Sequence, residues 1–178
     1  MPEMIAQRYV LLPEGTRSGA HSVVRKGIDS RNGDTVAVKF VNGPNDSVTR
    51  KVFQREISAL KSLSHPNIIR LRDSGTDDTD TFYVVLDWIE RSFADVLQQD
   101  VIYEWRNLYE TIAAPLASAL SYAHLKHAEH RDIKPANVLV NNEGAPLLAD
   151  FGIAKLRTGI EFTDLTVAGF RSGPYARA

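Results

Sequence analysis

Between Tyr9 and Phe40 the apolar positions come in short runs separated by turn residues, a pattern that predicts β-strands. Val23 and Val24 lie beyond a turn rich in glycine and serine, and Thr35 to Val41 follows Arg31-Asn32-Gly33-Asp34. A β-meander is the expected product. From Ser47 to Leu63 the period changes: Val52, Phe53, Ile57, Leu60 and Leu63 recur at helical spacing, and the pattern stops near His65-Pro66. Ile68 to Leu71 and Phe82 to Leu86 read again as β segments, divided by an acidic, solvated turn from Gly75 to Asp80.

After Ile89 the pattern becomes helical. Leu108, Ile112, Leu116, Leu120 and His124 fall four residues apart on one face of a helix predicted over Glu104 to His127. Pro115 lies inside it and predicts a kink or a break, because it removes a backbone donor. Two short apolar segments follow, Val138 to Val140 and Leu147 to Ala149, divided by the hairpin signal Asn141-Asn142-Glu143-Gly144. Gly152 to Ala178 is rich in Gly, Thr and Arg and reads as loop, and no internal repeat or low-complexity tract occurs.

Composition narrows the classes of function. The chain has 178 residues, 43% of them hydrophobic, enough for one average domain or two small lobes with a real core. Twenty-one Lys and Arg against 22 Asp and Glu give a net charge of −1, with no basic stripe to follow a phosphate backbone, so no nucleic-acid partner is expected. The absence of cysteine excludes disulfide scaffolds, thiol catalysis and thiolate zinc sites. Met1 to Val10 carries Pro2, Glu3 and Arg8 instead of a signal peptide's apolar run, and no 18-residue apolar window follows. No membrane segment and a cytoplasmic location are the expectations.

The residues that bear chemistry are Asp132, Asn137 and Asp150. They stand in His130-Arg131-Asp132-Ile133-Lys134-Pro135-Ala136-Asn137 and, thirteen residues beyond that Asn, in Asp150-Phe151-Gly152. Here the sequence resembles a protein kinase, whose catalytic loop and DFG tripeptide have this order and spacing. Phosphoryl transfer asks for positioning and charge neutralisation, which hard oxygen ligands supply. The resemblance implies ATP as phosphate donor and Mg²⁺, or alternatively Mn²⁺, as metal. Asp150 would hold the metal bridging the phosphates and Asn137 the second metal, while Asp132 would accept the proton of the attacking hydroxyl. Lys134 would steady the transferred phosphate. Lys134 followed by Pro135 resembles the serine/threonine kinases, which implies protein substrates with Ser or Thr hydroxyls.

Upstream, Val36-Ala37-Val38-Lys39 resembles the family's lysine strand, and seventeen residues later Glu56 stands where the family has the carboxylate that pairs with that lysine. The glycine-rich loop is the weakest match. Counting back from Lys39 puts Val24 over the adenine, Gly19 at the second glycine, Ser22 at the third and Arg17 at the first. Gly15 fits the first place only with an insertion. The same resemblance implies an adenine pocket of Val24 and Ala37 above the base and Leu139 below. Leu86 falls at the gatekeeper position before the hinge Asp87-Trp88-Ile89, in which Asp87 and Ile89 would contact the base through their backbone. Arg131, directly before Asp132, is placed to clamp a phosphate on Thr163 or Thr166, and Ser172 would contact Asp132 and Lys134. His65 in His65-Pro66-Asn67 resembles a structural turn of the family.

The implied fold class is α+β and two-lobed: residues 1–89 as a small antiparallel β lobe with one helix, and residues 90–178 as an incomplete, mainly helical second lobe. The sequence ends Pro174-Tyr175-Ala176-Arg177-Ala178, where the family's Ala-Pro-Glu motif would close the activation segment. The family's later helices would otherwise cover that lobe, so exposed apolar surface and self-association through it are expected. Two classes of function stay open: a serine/threonine protein kinase, and a kinase-like module that binds nucleotide or a partner but transfers phosphate poorly. Small-molecule kinases of related fold form a third, disfavoured by Arg131 and Lys134-Pro135.

Overall fold

The computed structural model describes residues 3–19, 22–41, 47–99 and 104–151. Thr163, Thr166, Ser172 and the loop reading of the last 27 residues lie outside the described residues.

Seven strands form the first sheet: β1 (Met4–Ile5), β2 (Tyr9–Leu11), β3 (Arg17–Gly19), β4 (Ser22–Asp29), β5 (Thr35–Val41), β6 (Leu71–Thr76) and β7 (Phe82–Asp87). Their order is β1-β2-β4-β5-β7-β6 with β3 also pairing with β4, and all pairings are antiparallel. β4 turns into β5 where Gly33, at φ +78°, closes the turn by donating to the Asp29 carbonyl at 2.8 Å. β5 and β7 are apolar on successive residues because both faces are covered. Ala37, Val41, Val84 and Leu86 pack on one side with Phe53 and Ile57, and Val36, Val38, Tyr83 and Val85 on the other with Ile5, Tyr9 and Leu11. Phe53 and Ile57 come from α1 (Ser47–Lys61), the helix expected from the spacing there.

The region expected as a strand at Ile68 to Leu71 is instead a crossing point, since the sixth strand begins only at Leu71 and runs on through Gly75 and Thr76. Ile68 and Ile69 are apolar because each belongs to a different core. Ile69 N–H donates to the Leu148 carbonyl and Leu148 N–H to the Asn67 carbonyl, both at 2.8 Å.

A three-stranded sheet begins after residue 90, ordered β10 (Pro146–Leu148), β9 (Val138–Val140), β8 (Arg91–Ser92). The short helix α2 (Phe93–Leu97) follows β8 under a capping box: Ser92 Oγ accepts from Asp95 N–H, and the Asp95 carboxylate accepts from Ser92 N–H at 2.8 Å. The helix expected over 104–127 is divided into α3 (Trp105–Leu108), a π-helical turn at Tyr109–Ala113, and α4 (Ala114–Leu125). Pro115 is the second residue of α4, and since the helical backbone runs into it unbroken through Ala113 and Ala114, its missing donor interrupts the bonding of the run and a widened turn stands just before it. The break predicted at Pro115 is thus a π turn just before it. Along α4 the fully buried positions are Ala119 and Ala123, with Leu116 and Leu120 half-buried beside them; His124 is exposed, which corrects the expected stripe. Alanine at these places lets α4 lie close against Leu148 and Val138.

Candidate active site

Between the two sheets lies an open cleft, its enclosed part about 140 Å³, lined by residues of both. Its apolar walls are Val24 on β4, Ala37 on β5, Leu86 on β7 and Leu139 on β9, and Asp87 and Ile89 line it where β7 leaves the first sheet. Lys39, Asn137 and Asp150 lie along the same cleft. Because side chains alternate along a strand, Lys39 shares its face with Ala37, and the strand that supplies a wall of the pocket supplies its cation. Gly19 and Ser22 are paired across the β3–β4 turn.

Lys39 is buried to 3% exposure, and its ammonium is 2.5 Å from Asp150 Oδ1. This corrects the expected pairing of Lys39 with Glu56. Glu56 is half-buried on α1, and burial raises its carboxyl above the usual range against the opposing pull of Arg131 and Arg55. The cations acting on Glu56 come from the catalytic loop and its own helix, while Asp150 stands nearer to Lys39. Arg131, at φ +66°, is also bonded by the Glu129 carboxylate through both Nε and Nη2 at 2.8 and 2.7 Å.

The catalytic-loop residues form a tight set. Lys134 Nζ donates to Asp132 Oδ2 at 2.8 Å, and Asn137 Nδ2 donates to the same oxygen at 2.9 Å and to the Asp132 carbonyl at 2.8 Å. A 3₁₀ turn at Pro135–Asn137 brings Asn137 back beside Asp132. Among the described residues no donor occupies the Asn137 side-chain oxygen, which is the end of the amide suited to a cation. The Asn137 backbone carbonyl accepts from Ala149 N–H at 2.9 Å, which ties the loop to Asp150, itself at φ +65°.

His130 makes the second tie, one that reasoning from sequence did not assign. It is 2% exposed, its Nε2 hydrogen-bonds the Ala149 carbonyl at 2.7 Å, and its Nδ1 accepts from Asp132 N–H at 3.3 Å. Its ring lies 4.6 Å from that of Phe151. The signal was its place two residues before Asp132. Arg17 and Trp88 also line the cleft, as does Ile69 from the crossing point. His65 is structural, as expected: its Nδ1 accepts from Asn67 N–H at 3.1 Å.

A mainly antiparallel sheet with one packed helix, set over a helical part, with a strand lysine, a loop Asp-x-Lys-x-x-Asn and a further Asp along the cleft between them, defines the protein-kinase type of fold. The family model described as "Protein kinase domain" matches residues 17–168. The chain is 32% identical over 97% of its length to Cyclin-dependent kinase D-1 of Arabidopsis thaliana, covering 44% of that protein. It is 36% identical over 86% of its length to a probable serine/threonine-protein kinase PknB of Lactococcus lactis, covering 25%. With Cyclin-dependent kinase-like 4 of Homo sapiens it shares 30% identity over 89% of its length and covers 42%. The chain belongs to the protein kinase domain family, and it spans less than half the length of each of these relatives.

Proposed function

We propose that the chain is the nucleotide-binding and catalytic part of a serine/threonine protein kinase, which transfers the γ-phosphate of ATP to Ser or Thr hydroxyls of protein substrates. The observation that carries this reading is the bonding of Asp132 by both Lys134 and Asn137, beside the Lys39 to Asp150 pair. The relatives named as serine/threonine-protein kinases support it.

Two donors on Asp132 Oδ2 fix the orientation of the carboxylate, which would accept the proton of a substrate hydroxyl. Lys134, half exposed, carries the positive charge nearest that proton transfer and would steady the moving phosphate. Lys39 would hold the α- and β-phosphates, and the apolar walls from Val24 to Leu139 would enclose the base, whose edge the backbone at Asp87 and Ile89 would read. The donor set fits a hard divalent cation: a carboxylate at Asp150 and an amide oxygen at Asn137 suit Mg²⁺, with Mn²⁺ as alternative, held jointly with phosphates. Such an ion neutralises charge on the phosphates. Glu56 would act as the positioning carboxylate of α1, on a movement of that helix toward Lys39.

The division into a first lobe of residues 1–89 and a second from 90 onward fits the break between the two sheets, at the connector from Trp88 to Glu90. Exposed Trp105, Tyr109 and Leu125 along one helical run support self-association through the second lobe. No helix of the described residues is long and apolar enough to cross a membrane, and a cytoplasmic site of action is part of the reading.

Intact-mass detection of phosphate on the chain and on a generic protein substrate, with Mg·ATP and beside an Asp132→Asn control, tests the reading. Phosphate on Ser or Thr with the parent and not with the control is the expected result. Nucleotide binding without transfer would move the chain to the non-catalytic class.

A further inference from the structure

The outer mouth of the cleft is built from residues that the catalytic reading does not use. Arg17, on β3, reaches across it: the guanidinium donates to the Glu90 main-chain carbonyl and lies 4.9 Å from the centroid of the Trp88 ring. Lys26, on β4, brings its ammonium to 5.1 Å from the same ring and 3.3 Å from the Glu90 carboxylate. The Trp88 indole N–H donates to that carboxylate at 2.8 Å. Trp88 and Lys26, as hydrogen-bond donors, hold the Glu90 carboxyl below the usual range.

Exposed ion pairs contribute little when isolated. These contacts differ because they close a ring between the first sheet and the connector that leaves it, and because Arg17 and Trp88 are themselves walls of the cleft. The backbone is shaped for the reach. Gly15 has φ +80°, and a Cβ there would stand 2.7 Å from Lys26 Cβ, so only glycine lets the chain pass this close to Lys26 two residues before Arg17.

We propose that Arg17, Trp88, Lys26 and Glu90 form a latch across the mouth of the nucleotide cleft, and that its opening sets the rate of nucleotide exchange. The latch rests on the nucleotide-binding reading given above. Arg17 stands where the resemblance places the first glycine of the phosphate-covering loop, so the bulk at that position becomes a gate. Arg17 holds the Glu90 main-chain carbonyl and the Trp88 face through its guanidinium, so rotation of that one side chain frees the span across the mouth without loss of strand pairing. The planar guanidinium suits both the indole face and the carbonyl, whereas a lysine there would keep charge but lose the fork.

Dissociation of mant-ADP, followed by stopped flow after mixing with excess ADP, tests the latch. The chain has two tryptophans, and Trp105 is 76% exposed, so a Trp105→Phe background isolates Trp88 emission. Arg17→Ala in that background is expected to release mant-ADP about fivefold to tenfold faster, with Arg17→Lys in between. Added salt should speed release from the parent toward the variant's rate. Trp88 emission should shift on Arg17→Ala before any nucleotide is added. Equal release rates, within twofold, from proteins that both bind mant-ADP would overturn the latch and leave the nucleotide reading standing. A parent that binds no mant-ADP would overturn that reading and the latch with it.

Discussion

The Lys39 ammonium and the Asp150 carboxylate meet at 2.5 Å across 111 residues of sequence, with the lysine side chain 3% and the aspartate 32% exposed. The pair joins the first sheet to the end of the second at the inner end of the cleft. A buried ammonium needs a partner, and of the carboxylates in the site Asp150 is the one in contact.

Substituting the two partners should separate their roles. Asp150→Asn keeps the shape but removes the charge, so the Mg²⁺-dependent part of ATP affinity should vanish in calorimetric titrations with and without metal. Unchanged Mg·ATP affinity would contradict the metal assignment. Lys39→Met should slow phosphate transfer about 100-fold or more, read by mass spectrometry, because a charge aimed at the phosphates is lost.

Asp29 anchors the end of β4, inside the first sheet. It is fully buried, accepts from Arg8 Nε and Nη2 at 2.9 and 2.5 Å, and accepts from Arg31 N–H at 3.1 Å. The Arg8 hydrogen bond, followed by that of Arg31, brings its carboxyl from 3.8 down to about 2 despite burial. A lowered acid in the folded state adds stability that is complete above the unfolded value and is lost as pH falls through about 2. Asp29→Ala should lower stability by about 2–3 kcal/mol at pH 7 in urea denaturation, and the deficit should shrink below about pH 3. A pH-independent deficit would place the effect in packing alone.

His130 predicts a pH dependence of opposite reach. Burial lowers the imidazole below its usual value, against raising contributions from the Ala149 carbonyl, Asp150 and Asp132. The unfolded chain then binds the proton more readily, so stability falls as pH drops below about 6.5 and is complete above it. Denaturant melts of the parent at pH 7.5 and 5.5 should show this loss, and a His130→Phe variant should show less of it. An equal loss in both would assign the acid sensitivity to other groups.

Much of the first sheet was legible because local pattern and tertiary role coincide. The apolar runs of β5 and β7, the turn at Gly33 and the spacing of Phe53, Ile57 and Leu60 all announce their elements. The residues along the cleft were legible where they are contiguous, as from His130 to Asn137, or carried by a short signature such as that ending in Lys39. The strand misplaced at Ile68 shows the limit. Two adjacent isoleucines serve two cores there, which mimics the double-sided burial of a strand. β8 and α2 were missed although Ser92 and Asp95 form a capping signal, since Arg91 and Ser92 carry no apolar pattern. The partner of Lys39 was not legible at all, because the choice between Glu56 and Asp150 depends on where α1 settles against the loop at Arg131. Arg17 looked like a defect in a glycine loop because its partners at Trp88 and Glu90 lie over 70 residues away.

The crossing point at Asn67, Ile68 and Ile69 has a mechanical meaning. The two sheets are joined by the chain connector at Trp88 to Glu90 and, separately, by this seam of backbone bonds to Leu148, reinforced by Asn67 Nδ2 on the Pro146 carbonyl at 2.8 Å. The Lys39–Asp150 pair adds a third tie beside the seam, two residues beyond Leu148. With these ties gathered near Asp150, opening of the cleft is expected as a swing that leaves Asp150 nearly in place and carries Arg17, on β3, with the first sheet.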